Sequence, residues 1–174
     1  MKDNLSESQE SILSSLKPKK RKNSRAKGNA FENKVSKLLN ERFNTDEFSR
    51  SPGSGAFATT HKLPSHLQIY GDLISPQDFK FIVECKKGYN QLGMDALLNR
   101  KSKVWEWIET LERDMAASRK PGFILTAQDR KPSIVITPYN KQVDNHTDKK
   151  VIVDKYIMLY LEDFLALPDT FFLG

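Results

Sequence analysis

Apolar residues recur at helical spacing in two stretches of this chain and crowd into short, β-branched runs elsewhere. From Gly28 to Phe43, the residues Phe31, Val35, Leu38, Leu39 and Arg42 fall on one face at about 100° per residue, which predicts an amphipathic helix. Asn29 followed three residues later by Glu32 has the form of a capping box, with Asn29 as the N-cap. Further on, Val104, Ile108, Leu111 and Met115, bordered by Trp107, form a second helical stripe that Pro121-Gly122 ends. Trp105 lies off that stripe and has two readings, stacking on a base or sugar, or burial elsewhere. Between the helices, Asp46 to Arg50, Leu67 to Ile74 and Phe81 to Lys87 read as strands. Ser75-Pro76-Gln77-Asp78 suits a hairpin turn joining the last two. Phe123 to Thr126 and Ser133 to Thr137 predict two more strands around a polar turn, Gln128 to Lys131. Tyr156 to Tyr160 predicts another, followed by a helical turn over Leu161 to Leu167. The stretches from Lys87 to about Lys103 and from Tyr139 to Lys150 show no periodicity and are predicted irregular or exposed.

Composition narrows the class. With 38% apolar and 29% charged residues, the 174-residue chain is low in apolar content yet long enough to bury a core. The expected division is a flexible basic arm over residues 1–26 and a single domain over 27–174. The arm carries Lys17-Pro18-Lys19-Lys20-Arg21-Lys22, which suits phosphate contacts and also has the form of a nuclear import signal. A net charge of +6 makes a polyanion the first partner to consider. Cys85, the single cysteine, excludes an internal disulfide and fits a reducing compartment. No apolar run reaches the ~20 residues that span a bilayer, and the polar N-terminus has no signal-peptide core, so a cytoplasmic protein is expected. His61, His66 and His146 match no zinc spacing.

Candidate chemistry gathers on the run Phe81-Ile82-Val83-Glu84-Cys85-Lys86-Lys87. Strand alternation sends Glu84 and Lys86 to one side and Val83 and Cys85 to the other, the side expected to face the core. Asp72 closes the preceding apolar run. Together these make a compact polar site on a sheet, suited to holding a divalent metal beside a positive charge. Asp72, Glu84 and the backbone carbonyl of Cys85 supply hard oxygen ligands, while Lys86 could orient water or stabilise negative charge. Glu-x-Lys alone is a common surface pair, and its company is what raises it. On spacing alone Glu32 has two readings, capping its own helix or supporting a metal through water. Arg50 at the entrance of Ser51-Pro52-Gly53-Ser54-Gly55 suits a loop that touches phosphate.

This order resembles the PD-(D/E)XK nuclease superfamily: a helix with Glu32, a strand ending at Asp72, a strand with Glu84-Cys85-Lys86, a long helix, then strands. More narrowly, Lys27-Gly28 ahead of Glu32, with Arg50-Ser51-Pro52-Gly53-Ser54-Gly55 before Asp72, resembles archaeal-type Holliday junction resolvases, which phages also encode. The resemblance covers roughly Lys27 to Thr137. It implies an α/β fold with a mixed central β-sheet flanked by helices, a restriction-endonuclease-like core in αβββαβ order. It implies a catalytic set of Glu32, Ser54, Asp72, Glu84 and Lys86. A metal would be bound by Asp72, Glu84 and the Cys85 carbonyl, with Glu32 acting through water. DNA contacts would come from Lys27, Arg50, Ser54, Lys62 and Lys87. The implied cofactor is Mg²⁺, with Mn²⁺ able to substitute, and the implied partner is DNA in four-way junctions, nicked in pairs by a homodimer. Restriction- or repair-type cleavage of other branched or duplex DNA, and DNA binding without catalysis, are the alternatives. The apolar strands after Thr126 and Phe171-Phe172-Leu173 are the candidate dimer surfaces. The chain differs from the resolvase pattern in its longer arm, a longer loop between Ser54 and Asp72, and about 35 residues added after Thr137.

Overall fold

The computed structural model describes residues 24–52, 70–89, 93 and 95–174. Residues 1–23 of the expected arm, Gly53, Ser54, Gly55 and Lys62 lie outside the described residues, while 24–26, also assigned to the arm, belong to the first helix.

The chain opens with helix α1 (Ser24–Phe43) and strands β1 (Ser49–Arg50), β2 (Leu73–Ile74) and β3 (Ile82–Lys87). Helices α2 (Asp95–Leu98) and α3 (Lys103–Ser118) lead to β4 (Gly122–Ala127) and β5 (Ile134–Pro138). Helix α4 (Lys141–His146), strands β6 (Lys150–Val153) and β7 (Tyr156–Tyr160), and short helices α5 (Leu161–Leu165) and α6 (Asp169–Phe172) complete it. The main sheet runs β3-β4-β5-β7-β6. Strands β3 and β4 are parallel and the remaining pairs antiparallel, so the sheet is mixed. The parallel pair needs a crossover, and α2 and α3 lie within it. This is the mixed sheet with flanking helices that the resemblance implied.

Both sheet faces are covered. On one face, Val83, Cys85, Phe123 and Leu125 pack with Phe31, Val35 and Leu39 of α1 and with Phe164, Phe171 and Phe172. The aromatic part is dense: Phe164 and Phe172 meet edge-to-face with ring centres 5.3 Å apart, and Phe171 and Phe172 at 5.0 Å. On the other face, Ile124, Ile136 and Met158 pack against Trp105, Ile108 and Leu111 of α3. Trp105 is buried, with its indole N–H donating to the Leu97 carbonyl at 3.1 Å. Its burial, not nucleic acid, explains it.

Several expectations change. Helix α1 starts at Ser24, so Asn29 sits inside it and caps nothing, and the capping-box reading of Glu32 falls with it. Strand β2 ladders with β1, not with β3 as a hairpin. Asp72, just before β2, reaches β3 with one main-chain bond, its N–H donating to the Val83 carbonyl at 2.9 Å. The region after Tyr139 holds α4, because the Asn140 side chain accepts the N–H groups of Gln142 and Val143 and so caps it. Phe171 and Phe172 are core residues, 7% and 0% exposed, and present no surface to a partner.

Candidate active site

The candidate site forms at the β3 edge of the sheet, and main-chain geometry builds it. Gly71 takes φ +79°, and a Cβ there would stand 2.6 Å from the Ile82 side chain and 2.7 Å from the Val83 carbonyl oxygen. Only glycine brings the chain so close to β3 in that conformation. The next residue, Asp72, is thereby laid along the strand: its N–H donates to the Val83 carbonyl and its own carbonyl accepts the Ser51 N–H at 2.9 Å. Its carboxylate then accepts the Cys85 N–H at 2.8 Å. On a strand, a residue's N–H and C=O point the same way and successive residues alternate. The Cys85 carbonyl therefore points off this edge too, beside the Asp72 carboxylate.

Glu84 and Lys86 share a face of β3, as the alternation requires. The Lys86 ammonium donates to Glu84 at 2.7 Å and lies 3.7 Å from the Asp72 carboxylate. That face is not solvated, because α3 lies over it. Glu84 is 5% and Asp72 8% exposed. Val83 and Cys85 face the core as expected, but the opposite face of β3 is covered too, and the two carboxylates are buried side by side.

Electrostatics follow from that burial. Removal from water pushes the Glu84 carboxyl up from 4.5 to about 7, and the neighbouring Asp72 charge adds to the rise while Lys86 opposes it. Burial works against the Lys86 ammonium, but the Glu84 and Asp72 charges outweigh it and hold its pKa above the ordinary 10.5. The Cys85 thiol is pushed well up by burial, with Asp72, Glu32 and Glu84 adding, so it stays neutral.

Glu32 is buried on α1 and accepts a 2.6 Å ion-paired hydrogen bond from Arg50 Nε. This pair ties α1 to β1 beside the site. Among the described residues, no three His, Cys, Asp or Glu side chains are grouped so as to hold a metal ion. Lys87 faces the α1 side, 3.0 Å from Asp129. Lys27 is exposed on α1. Two participants escaped the sequence. Ser51 is 2% exposed, and both its N–H and its hydroxyl bond the Gly71–Asp72 segment. Asp114 of α3 feels the charges of Lys86 and Asp72, with its carboxyl raised chiefly by burial. Its place three residues after Leu111, at the border of the α3 stripe, was the available signal.

A divalent cation fits this donor set. Two carboxylates and a main-chain carbonyl are hard oxygen ligands, and Mg²⁺ is commonly held by one or two carboxylates with water completing its shell.

A mixed sheet whose edge strand carries Glu84-x-Lys86, with Asp72 laid against it, is the arrangement of the PD-(D/E)XK nucleases. The chain belongs to the family described as phage putative PDDEXK endonuclease, which matches residues 23–165. Nucleases of this kind generally use divalent metal ions and act on DNA. Among solved structures, Archaeoglobus fulgidus Hjc, a Holliday junction resolvase from an archaeal hyperthermophile, is similar at 12% identity, covering 74% of this chain and 88% of that one with a TM-score of 0.32. No curated protein matches the chain. No helix among the described residues is long and apolar enough to cross a membrane.

Proposed function

We propose that this chain is a Mg²⁺-dependent DNA endonuclease that nicks four-way junctions in pairs as a homodimer. The reading rests above all on Asp72, Glu84 and Lys86 meeting at one buried sheet edge. The junction substrate rests on the Arg50 to Gly55 loop and its resemblance to resolvases. Asp72, Glu84 and the Cys85 carbonyl would hold the ion. Once bound, it supplies Lewis acidity toward a phosphate oxygen and acidifies a coordinated water. Lys86, beside both carboxylates, would orient the attacking water or stabilise charge on the phosphate. Arg50, oriented by Glu32, Ser54, and the lysines at 27, 62 and 87 contact the DNA, and Glu32 reaches the ion only through water. Residues 27–174 form the nuclease domain, and the 1–26 arm adds phosphate contacts. Paired nicks need two sites, which a two-fold dimer supplies.

A labelled four-way junction and a linear duplex, each incubated with Mg²⁺ or with chelator, test this reading. Symmetric nicking of the junction, only with the metal, is expected. Equal cutting of both DNAs would point to a broader restriction- or repair-type nuclease. Tight binding without cutting under any metal would sink the enzyme reading.

A further inference from the structure

Between α1 and the turn joining β4 to β5 lies a cleft of about 480 Å³. Its apolar lining is the half-buried Leu38 and Leu161, backed by the buried Phe31, Val35, Leu125 and Ala127. Its rim is cationic, with Lys27 and Lys34 from the helix and Arg130 and Lys131 from the turn. All four rim residues are exposed, and among the described residues none is held in an ion pair. The rim's carboxylate, Asp129, is answered by Lys87 at 3.0 Å. Lys87, which lines the cleft, follows Lys86 on β3, so its side chain lies on the opposite face of the strand from the proposed reaction centre.

The cleft's chemistry and size restrict its occupant. Its volume lies within the ~300–1,000 Å³ of pockets that hold one small ligand, and no duplex can enter it. Cations around an apolar floor suit a phosphate joined to a sugar and base, the combination used by sites for unpaired nucleic acid. Resting on the endonuclease reading above, we infer that this cleft takes a single unpaired nucleotide of the DNA substrate, with its phosphates on Lys34, Arg130 and Lys131 and its sugar and base against the half-buried Leu38 and Leu161. Drawing a nucleotide out of a perfect stack costs a few kcal/mol and far less where it is already unpaired. The cleft therefore selects DNA with a branch or unpaired residue, through occupancy and not base identity.

Binding measured in chelator, without cleavage, tests the cleft separately from the nuclease reading. The probes are a fluorescent duplex and the same duplex bearing one unpaired nucleotide. The wild-type protein is expected to favour the second about tenfold, equivalent to about 1.4 kcal/mol. Ala30→Phe, at an exposed α1 position lining the cleft, should bring that preference close to one. Lys34→Ala and Arg130→Ala should each reduce the salt dependence of binding to the unpaired probe by about one phosphate contact. Thermal melting checks that each variant is folded. Absence of the wild-type preference, or its survival in all three folded variants, overturns the proposal. A wild-type protein that discriminates the probes but cuts no DNA would defeat the endonuclease reading while supporting the cleft.

Discussion

The main sheet ends in two edge strands that the molecule treats in opposite ways. At β6, Val151 and Ile152 are each 46% exposed, and Lys150 is settled by its neighbours, 3.0 Å from the Asp144 carboxylate and donating to the carbonyls of Asp144 and Thr147. At β3, the edge is covered by Gly71–Asp72, and two carboxylates and an ammonium are taken out of water together. Burying charge is costly unless it is compensated, and here one cation faces two anions. An ordinary edge strand needs none of this, and β6 shows how little is required. The difference teaches that the β3 arrangement opposes stability and calls for explanation by function.

Removing the unusual edge's charge should have the largest effect. Lys86→Ala is expected to slow single-turnover nicking by about 10²–10³-fold, the loss typical of one preorganised charge-stabilising group. DNA affinity should change little, because the phosphate contacts lie elsewhere. Lys150→Ala at the other edge should leave the nicking rate unchanged. Normal cutting by Lys86→Ala would defeat the assignment.

The pH response should separate the edges next. Because the Glu84 carboxyl is raised in the folded protein from 4.5 to about 7, folding favours its protonated form. Its contribution to metal-free stability is full below about 4.5 and is lost as pH rises through 7. At ~1.4 kcal/mol per pKa unit this amounts to roughly 3 kcal/mol. Urea unfolding in chelator at pH 5 and pH 8 should show that decline in wild type and not in Glu84→Gln. The same proton competes with a cation, so Mn²⁺ affinity should weaken as pH falls below 7. Equal pH slopes for the two proteins would mean that Glu84 is not the raised group.

Gly71→Ala follows in size. It places a Cβ against main-chain and side-chain atoms that cannot both give way, at a positive φ. A loss of about 1–3 kcal/mol in urea unfolding is expected, with slower nicking as Asp72 moves. Wild-type behaviour in both assays would mean that Asp72 is not positioned by this approach.

These effects mark what could be read before the fold was known. The α3 stripe and the strands around Glu84 and Ile124 are local patterns, and alternation alone put Glu84 and Lys86 on one face. What escaped depended on distant segments. The Asn29–Glu32 spacing imitated a cap because nothing nearby shows that the helix begins at Ser24 or that Arg50 arrives to pair with Glu32. Leu73 and Ile74 read as half of a hairpin because the positive φ of Gly71, which lays Asp72 on β3, leaves no periodic trace. Phe171 and Phe172 read as a possible surface because apolarity does not say which neighbour will cover it. The covering of Glu84 by α3 is likewise invisible along β3.

The smallest effect is expected at the turn from β6 to β7, where Asp154 also has a positive φ, +57°. Asp154→Gly relieves a left-handed conformation costing roughly 1–2 kcal/mol for most residues, and less for Asp. It also gives the unfolded chain more freedom, worth roughly 0.5–1 kcal/mol in the opposite direction. The exposed ion pair with Arg100 at 3.2 Å is lost as well, a contribution of about 0–1 kcal/mol. These small terms oppose one another, so stability should stay within about 0.5 kcal/mol and the melting temperature within about 2 °C. Asp154 is exposed, unlike the Gly71 position packed against β3. A melting shift above about 4 °C, on the scale of 1–2 kcal/mol for a chain this size, would show that the β6 edge carries strain of its own and that the contrast between the two edges is weaker than their exposures suggest.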